Sequence, residues 1–177
     1  MGDIVAYIAL VIQGIREDRM KRIVCIAVAA LLIAVGAFGQ SAQRIDEILE
    51  TQATTFGHAA YLILTAMGNI SEEADFQEAF TEMKAYAEAQ NFGNAAIRDS
   101  VTAEDSISTK NYAFLLMKAF NIKGGMMYRI YPCPRYAYRD LQYLAVIQGK
   151  TDPDAPITGT EMLQMLGRIE PWQGGEQ

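Results

Sequence analysis

The chain has 177 residues, a formal net charge of −6, one histidine and two cysteines, and 51% of its residues are hydrophobic. This length and this apolar content fit a single domain with a hydrophobic core of its own. The acidic balance argues against a nucleic-acid partner, because affinity for nucleic acid comes mainly from neutralising phosphates.

The N-terminal part of the sequence predicts export. Lys21 and Arg22 precede an apolar run from Ile23 to Val35, and small residues follow that run. These are the charged region, the apolar region and the cleavage site of a signal peptide over residues 20–39. Residues 1–19 are then an upstream extension from a start codon placed too early. An uncleaved anchor or a membrane hairpin is the alternative, but the apolar run is shorter than the about 20 residues that cross a bilayer.

Cleavage would leave a helical-repeat domain over residues 40–170 and a flexible tail over residues 171–177. No membrane span is predicted after cleavage, and the expected location is the periplasm or the cell envelope. Cys133 is then the only cysteine, which excludes an intramolecular disulfide. The prolines on both sides of Cys133 favour a packed or half-exposed loop thiol over an intermolecular bridge.

The predicted domain repeats itself. The apolar pattern of residues 59–67 returns 53 positions later in residues 112–120, and a third copy begins near Ile157, 50 positions after Ile107. Stacked units of one supersecondary structure are typical of scaffolds. The predicted fold class is therefore mainly α, an array of helix-loop-helix repeats with at most one short strand.

The expected elements follow from the spacing of apolar residues. In chain order, the pattern predicts helices over residues 45–49, 55–67, 71–91, 108–120, 135–147 and 158–169. Residues 126–131 form a short apolar and aromatic run before a proline, which predicts a strand or an extended segment.

Residues suited to begin and end helices stand at the borders of these elements. Thr55, Ser71 and Ser108 are predicted N-caps, and Thr158 and Glu161 have the spacing of a capping box. Gly68, Asn121 and Gly149 are predicted to end helices.

The segment of residues 135–170 resembles the S-layer homology family. The matching residues, in order and spacing, are Tyr136, Ala137, Leu141, Leu144, Gly149, Pro153, Asp154, Ala155, Pro156, Ile157, Thr158, Glu161, Leu166 and Arg168. The resemblance implies a helix-loop-helix unit, often used in arrays of three, that fastens exported proteins to cell-wall polymer or peptidoglycan. It also implies an arginine contact directly after Ile157 and Thr158, where this chain has Gly159. The corresponding residue of the preceding repeat is Thr109.

Cationic and aromatic side chains concentrate in one stretch of this acidic chain. The predicted ligand- or partner-binding residues are Tyr128, Arg129, Tyr131, Arg135, Tyr136 and Arg139. Aromatic rings stack on sugars, and arginine binds carboxylates through two parallel hydrogen bonds, so this stretch suits an acidic glycan. The alternative is that the tyrosines pack against the helices and the arginines pair with neighbours such as Asp140.

Other candidate chemistries have less support. His58 lacks a second ligand at i+4, which predicts a capping or surface residue rather than a metal ligand or a member of a catalytic triad. Asp152 and Asp154 lack the EF-hand pattern and favour a turn over a calcium site. Five methionines at helical spacing predict core packing over a partner groove: Met117, Met126, Met127, Met162 and Met165.

The predicted function is non-enzymatic and needs no cofactor or metal. It is an exported envelope or periplasmic scaffold, or a wall-attachment module, whose partner is cell-wall polymer, peptidoglycan or an envelope protein; self-association stays open. One alternative is a subunit of an envelope complex without wall binding. The least favoured is a hydrolase that uses Glu82 and Asp140, because these acids occupy matching repeat positions and are explained by solvation.

Overall fold

The computed structural model describes residues 42–92, 97–149 and 152–169. In these residues the helices are α1 (42–50), α2 (Phe56–Ala66), α3 (Phe76–Ala89), α4 (Thr109–Ala119), α5 (Met126–Ile130), α6 (Pro134–Tyr143) and α7 (Gly159–Ile169). Their β structure is limited to isolated bridges, so the mainly helical prediction is confirmed. None of the helices in these ranges is long and apolar enough to cross a membrane. The predicted upstream extension, the signal peptide and the tail lie outside the described residues.

Three loop residues tie the starts of α2, α4 and α7 together in a closed ring of hydrogen bonds. The amide of Thr54 donates to the carbonyl of Ile157 (3.0 Å), and the amide of Ile157 donates to the carbonyl of Ile107 (3.2 Å). The amide of Ile107 closes the ring on the carbonyl of Thr54 (2.9 Å). The spacings of these residues equal the two repeat offsets in the sequence. We call this feature the backbone ring; it joins the three repeats at equivalent positions.

The first residue of each of these three helices continues the same pattern. Each donates its amide to the loop that precedes another of the three helices: Phe56 to Asp105 (3.0 Å), Thr109 to Ala155 (3.1 Å) and Gly159 to Thr51 (3.0 Å). Because each helix start is held by the loop of a different repeat, no repeat has its full set of hydrogen bonds alone.

The core lies around α2 and α4. Residues Gln43–Gln177 form a compact unit, and the buried apolar side chains of its described part make one cluster that runs from Ile48 to Ile169. α3 packs on α2 and α6 packs on α4. Across the core, the hydroxyl of Tyr112 donates to the carbonyl of Met162 (3.1 Å). The unit therefore has a hydrophobic core of its own.

Four helices end with one motif. A residue with positive φ follows α2, α3, α4 and α6, and the next amide donates to the carbonyl five positions earlier; these residues are Gly68 (70°), Asn91 (53°), Asn121 (49°) and Ala145 (57°). The stops predicted at Gly68 and Asn121 are confirmed. The stop predicted at Gly149 is wrong, because α6 ends four residues before the expected Ile147, and Ala145 takes the left-handed conformation that Gly or Asn usually supplies.

Two predicted helix starts are confirmed by their hydrogen bonds. The hydroxyl of Thr55 accepts from the amide of His58 (3.3 Å). At α7, the amide of Thr158 donates to the carboxylate of Glu161 (3.1 Å), and the amide of Glu161 donates to the hydroxyl of Thr158 (3.3 Å). The latter pair is the predicted capping box.

The prediction that the side chains of Ser71 and Ser108 cap helices is wrong. α3 begins five residues after Ser71 and is capped by Asp75, whose carboxylate accepts from the amide of Glu78 (2.7 Å). Ser108 stands at the N-cap position of α4, but its hydroxyl makes no capping hydrogen bond. The reason is that its own carbonyl takes the amide of Asn111 (3.0 Å), which a capping hydroxyl would otherwise accept.

The predicted strand over residues 126–131 is instead the short helix α5. The amide of Gly125 donates to the carboxylate of Asp140 on α6 (2.8 Å), which fixes the start of α5. The side chain of Tyr128 then enters the core, where its ring lies edge-on to Phe114 with centroids 6.2 Å apart. A short apolar run does not distinguish strand from helix by its pattern alone, so this tertiary contact decides the conformation.

Candidate functional site

A groove with cationic walls lies between the start of α4, the first turns of α6 and the loop before α7. It consists of two adjoining cavities of about 600 Å³ and about 530 Å³, which share Lys110, Arg135 and Asp154. Arg98 lines the first cavity and Arg139 the second. We call these cavities together the α4–α6 groove. Its lining has four cationic side chains and two carboxylates, Asp105 and Asp154, so cations predominate there in a protein with a net charge of −6.

Lys110, in the first turn of α4, is held by the loop before α7. The amide of Lys110 donates to the carbonyl of Pro153 (3.0 Å), and its ammonium group pairs with the carboxylate of Asp154. The amide of Asp154 donates to the carboxylate of Asp152 (2.9 Å), so the predicted turn at these two acids is confirmed. Because Asp154 is exposed, its ion pair with Lys110 is of the weak surface kind that an incoming anion can displace.

Arg135 and Arg139 lie one turn apart on α6, and both are exposed. Within the described residues, neither guanidinium group forms an ion pair or a hydrogen bond. Asp140, the neighbour considered for pairing, instead accepts from the amide of Gly125. Both guanidinium groups are therefore available for a carboxylate or a phosphate, which they can bind through two parallel hydrogen bonds.

The other four predicted binding residues lie elsewhere. Tyr128 is 7% exposed and lies in the core, not in the groove. Its burial together with the nearby Asp140 carboxylate raises the pKa of its hydroxyl. Tyr136 is half-buried against the core. Arg129 and Tyr131 are exposed at α5 and do not line the α4–α6 groove. The alternative prediction, that tyrosines pack against the helices, is confirmed for Tyr128.

The position of the arginine implied by the family resemblance is buried in all three repeats. It corresponds to Phe56, Thr109 and Gly159, the first residues of α2, α4 and α7, and all three are buried. At Gly159 a side chain is excluded sterically, since an added Cβ would overlap the carbonyl of Ile48 in α1. The cationic side chains that line the α4–α6 groove therefore occupy other positions than the arginine implied by the resemblance.

Sequence reasoning missed Lys110 and Arg98 as groove residues. Lys110 comes three positions after Ile107, a residue of the backbone ring. An alignment of the three repeats would therefore have shown that Lys110 is a charged residue next to the contact between repeats. Arg98 lies in the long connector after α3, where no repeat pattern exists. Only the tertiary structure brings it beside Lys110.

His58 has a structural role at the start of α2. It is buried, its Nδ1 accepts from the amide of Thr55 (3.3 Å), and its ring lies edge-on to Phe76 with centroids 4.5 Å apart. The prediction of a capping residue is confirmed, and the prediction of a surface residue is wrong. Burial lowers the pKa of His58, and the carboxylate of Glu47 opposes this shift only in part.

We expect His58 to make the protein less stable as the pH falls below about 6.5, the ordinary pKa of histidine. Because the folded-state pKa is lowered, the unfolded chain binds a proton in that range before the folded chain does. The stability is fully present above that pH and is lost as the pH falls through the folded-state pKa. Urea unfolding at pH 7.5 and pH 5.5 should give a smaller loss of free energy in His58→Gln than in the wild type. An equal loss in both proteins would contradict this role.

The structure also places the cysteine and the methionines that the sequence singled out. Cys133 is a free, half-buried thiol at the start of α6, as predicted. Met117, Met162 and Met165 are buried in the core, whereas Met126 and Met127 are exposed, so the core prediction is wrong for these two. The described residues contain no cluster of His, Cys, Asp and Glu that could hold a metal ion.

Comparison of the chain with protein-family models, with curated proteins and with solved structures finds no match.

Proposed function

We propose that this chain is a non-enzymatic, exported binding module of the cell envelope, and that its α4–α6 groove holds an acidic polymer such as peptidoglycan or a wall glycan. The observation that carries this proposal is the gathering of Arg98, Lys110, Arg135 and Arg139 around one open groove of an acidic protein. The signal-peptide pattern and the resemblance to S-layer homology repeats support the location and the class of ligand.

The arrangement suits an anionic polymer better than a small metabolite. The groove is open, and its cations come from three separate segments, so they can contact successive acidic groups along one chain. Arg135 and Arg139 have no internal partner to give up among the described residues. Lys110 gives up only a weak surface ion pair with Asp154.

This mode of binding differs from the one that the family resemblance implies. The family position after Ile157 and Thr158 is closed at Gly159, so the proposed contact uses residues of α4 and α6 instead. Wall attachment in this chain would therefore rest on the shared repeat architecture and on a separate set of cations.

The test is co-sedimentation of residues 40–177 with purified peptidoglycan sacculi at low and at physiological salt. We expect Arg135→Ala/Arg139→Ala to weaken binding by about tenfold or more, because the loss of even one charge-assisted contact costs about 1.5 kcal/mol. Salt should weaken the wild type more than the variant, since screening acts on the charges that the variant lacks.

Lys123→Ala/Arg129→Ala is the matched control, since it removes the same charge from exposed side chains outside the groove. Equal losses in the two double variants would mean that only net charge matters, which contradicts a defined site. Absence of wild-type binding would reject wall attachment and favour the subunit of an envelope complex.

A further inference from the structure

We infer that α5 is a docking surface for an anionic lipid bilayer. This inference concerns a surface outside the α4–α6 groove and does not depend on the groove's ligand. The inference rests on four large apolar side chains in and directly after α5 that are exposed to solvent: Met126 (75% exposed), Met127 (53%), Ile130 (74%) and Tyr131 (68%). We call them the α5 patch. Contiguous exposed apolar side chains of this kind mark interaction sites.

The geometry of α5 presents these side chains in one direction. At about 100° per residue the three members within α5 follow one another over an arc of about 100°, in the order Met126, Ile130 and Met127. The exposed Tyr131 comes directly after the helix. Tyr128 lies outside this arc. Its side chain packs in the core against Phe114 and so attaches the helix to the rest of the domain. α5 ends at Ile130, and the amide of the C-cap residue Tyr131 donates to the carbonyl of Met127 (2.9 Å). The apolar arc therefore points away from the core.

Exposed cations border the α5 patch. Arg129 is adjacent to Met126 on the helical wheel, and Lys123 lies in the segment just before α5; both side chains are exposed. The one acid of α6, Asp140, is half-buried and accepts from the amide of Gly125. Apolar side chains flanked by Lys and Arg are the pattern that binds the interface of anionic membranes, where the apolar groups enter and the cations meet the headgroups.

The size of the patch favours a membrane over a second protein molecule. Four side chains exposed by 53% to 75% offer less than the about 800 Å² that each partner contributes to a standard protein interface. A lipid surface has no such minimum, because its fluid interior adapts to a small insertion. The predicted export of the chain across a membrane also brings this surface close to lipid.

The test is sedimentation of residues 40–177 with vesicles of phosphatidylcholine alone or with 30% phosphatidylglycerol. This fragment contains the compact unit and its core, and it lacks the N-terminal apolar run, which would bind lipid by itself. We expect binding to the anionic vesicles only. Ile130→Ser should reduce the bound fraction about threefold, and Met126→Ser/Ile130→Ser about tenfold, with unchanged thermal unfolding because both side chains are exposed.

Tyr143→Ser is the matched control, since Tyr143 is an apolar side chain outside the patch that is 90% exposed. It should leave vesicle binding unchanged, as should Arg135→Ala/Arg139→Ala, whereas Lys123→Ala/Arg129→Ala should weaken it. Equal binding of patch and control variants would overturn the inference. Absence of vesicle binding would overturn it too, and a concentration-dependent dimer lost in Met126→Ser/Ile130→Ser would assign the patch to a second copy of this chain. None of these results bears on sacculus binding by the groove.

Discussion

Gly159→Ala is expected to lower the free energy of unfolding by about 3 kcal/mol or more, although it adds only one methyl group. An added Cβ would overlap the carbonyl of Ile48, which is backbone and cannot rotate away as a side chain would. The whole of α1 would have to shift relative to α7. Changes that overpack a core commonly cost 1–3 kcal/mol, and a clash with backbone lies at the upper end or beyond.

A movement of α7 away from α1 cannot make room for the added methyl group either. The amide of Gly159 donates to the carbonyl of Thr51, just after α1, and Ile48 is fully buried. Moving α7 away from α1 would therefore break a buried hydrogen bond and open the core next to Ile48. The same argument predicts that Gly159→Arg, which would introduce the residue implied by the family resemblance, leaves the protein unfolded.

Gly167→Ala provides the matched control within the same helix. A Cβ at Gly167 meets no atom within 4 Å, so alanine there should raise stability by about 0.5–1 kcal/mol through its higher helix propensity. Urea unfolding of both variants measures the contrast. A stability loss below about 1 kcal/mol for Gly159→Ala would mean that α1 is not packed against α7 as described.

The repeat architecture could be predicted because its signals are local and recur. Apolar spacing located six of the seven helices, and Thr55, Asn121 and the pair Thr158 and Glu161 act where their side-chain chemistry indicates. Such residues determine a helix end by contacts within four positions of themselves. The repeat offsets also matched the spacing of the backbone ring, since equivalent residues must occupy equivalent loops.

The failures have tertiary causes. Ala145 ends α6 without the side chain that normally marks a stop, and Ser108 loses its capping role to its own carbonyl. α5 becomes a helix because Tyr128 enters the core. The groove forms through contacts between Lys110 and a loop more than 40 residues away in the sequence, which no local pattern indicates. Of the six predicted binding residues, only Arg135 and Arg139 line it together. Residue type predicted the chemistry of the site, but not which cations share it.

Ile157→Ala and Ile107→Ala are each expected to lower the free energy of unfolding by about 2–5 kcal/mol, because both side chains are fully buried at the backbone ring. Ile130→Ala is the control for the same chemical change. Since Ile130 is 74% exposed on α5, its replacement should change stability by no more than about 0.5 kcal/mol.

The double variant tests whether the ring joins the repeats into one cooperative unit. The amide of Ile157 donates to the carbonyl of Ile107, so loosening either residue should loosen the bond that holds the other. We therefore expect the double variant to depart from the sum of the single effects by about 0.5 kcal/mol or more, which urea unfolding of the four proteins in the cycle measures. Strict additivity would indicate that the second and third repeats are stabilised independently, and the common attachment of all three through Thr54 would then be a consequence of their packing rather than its cause.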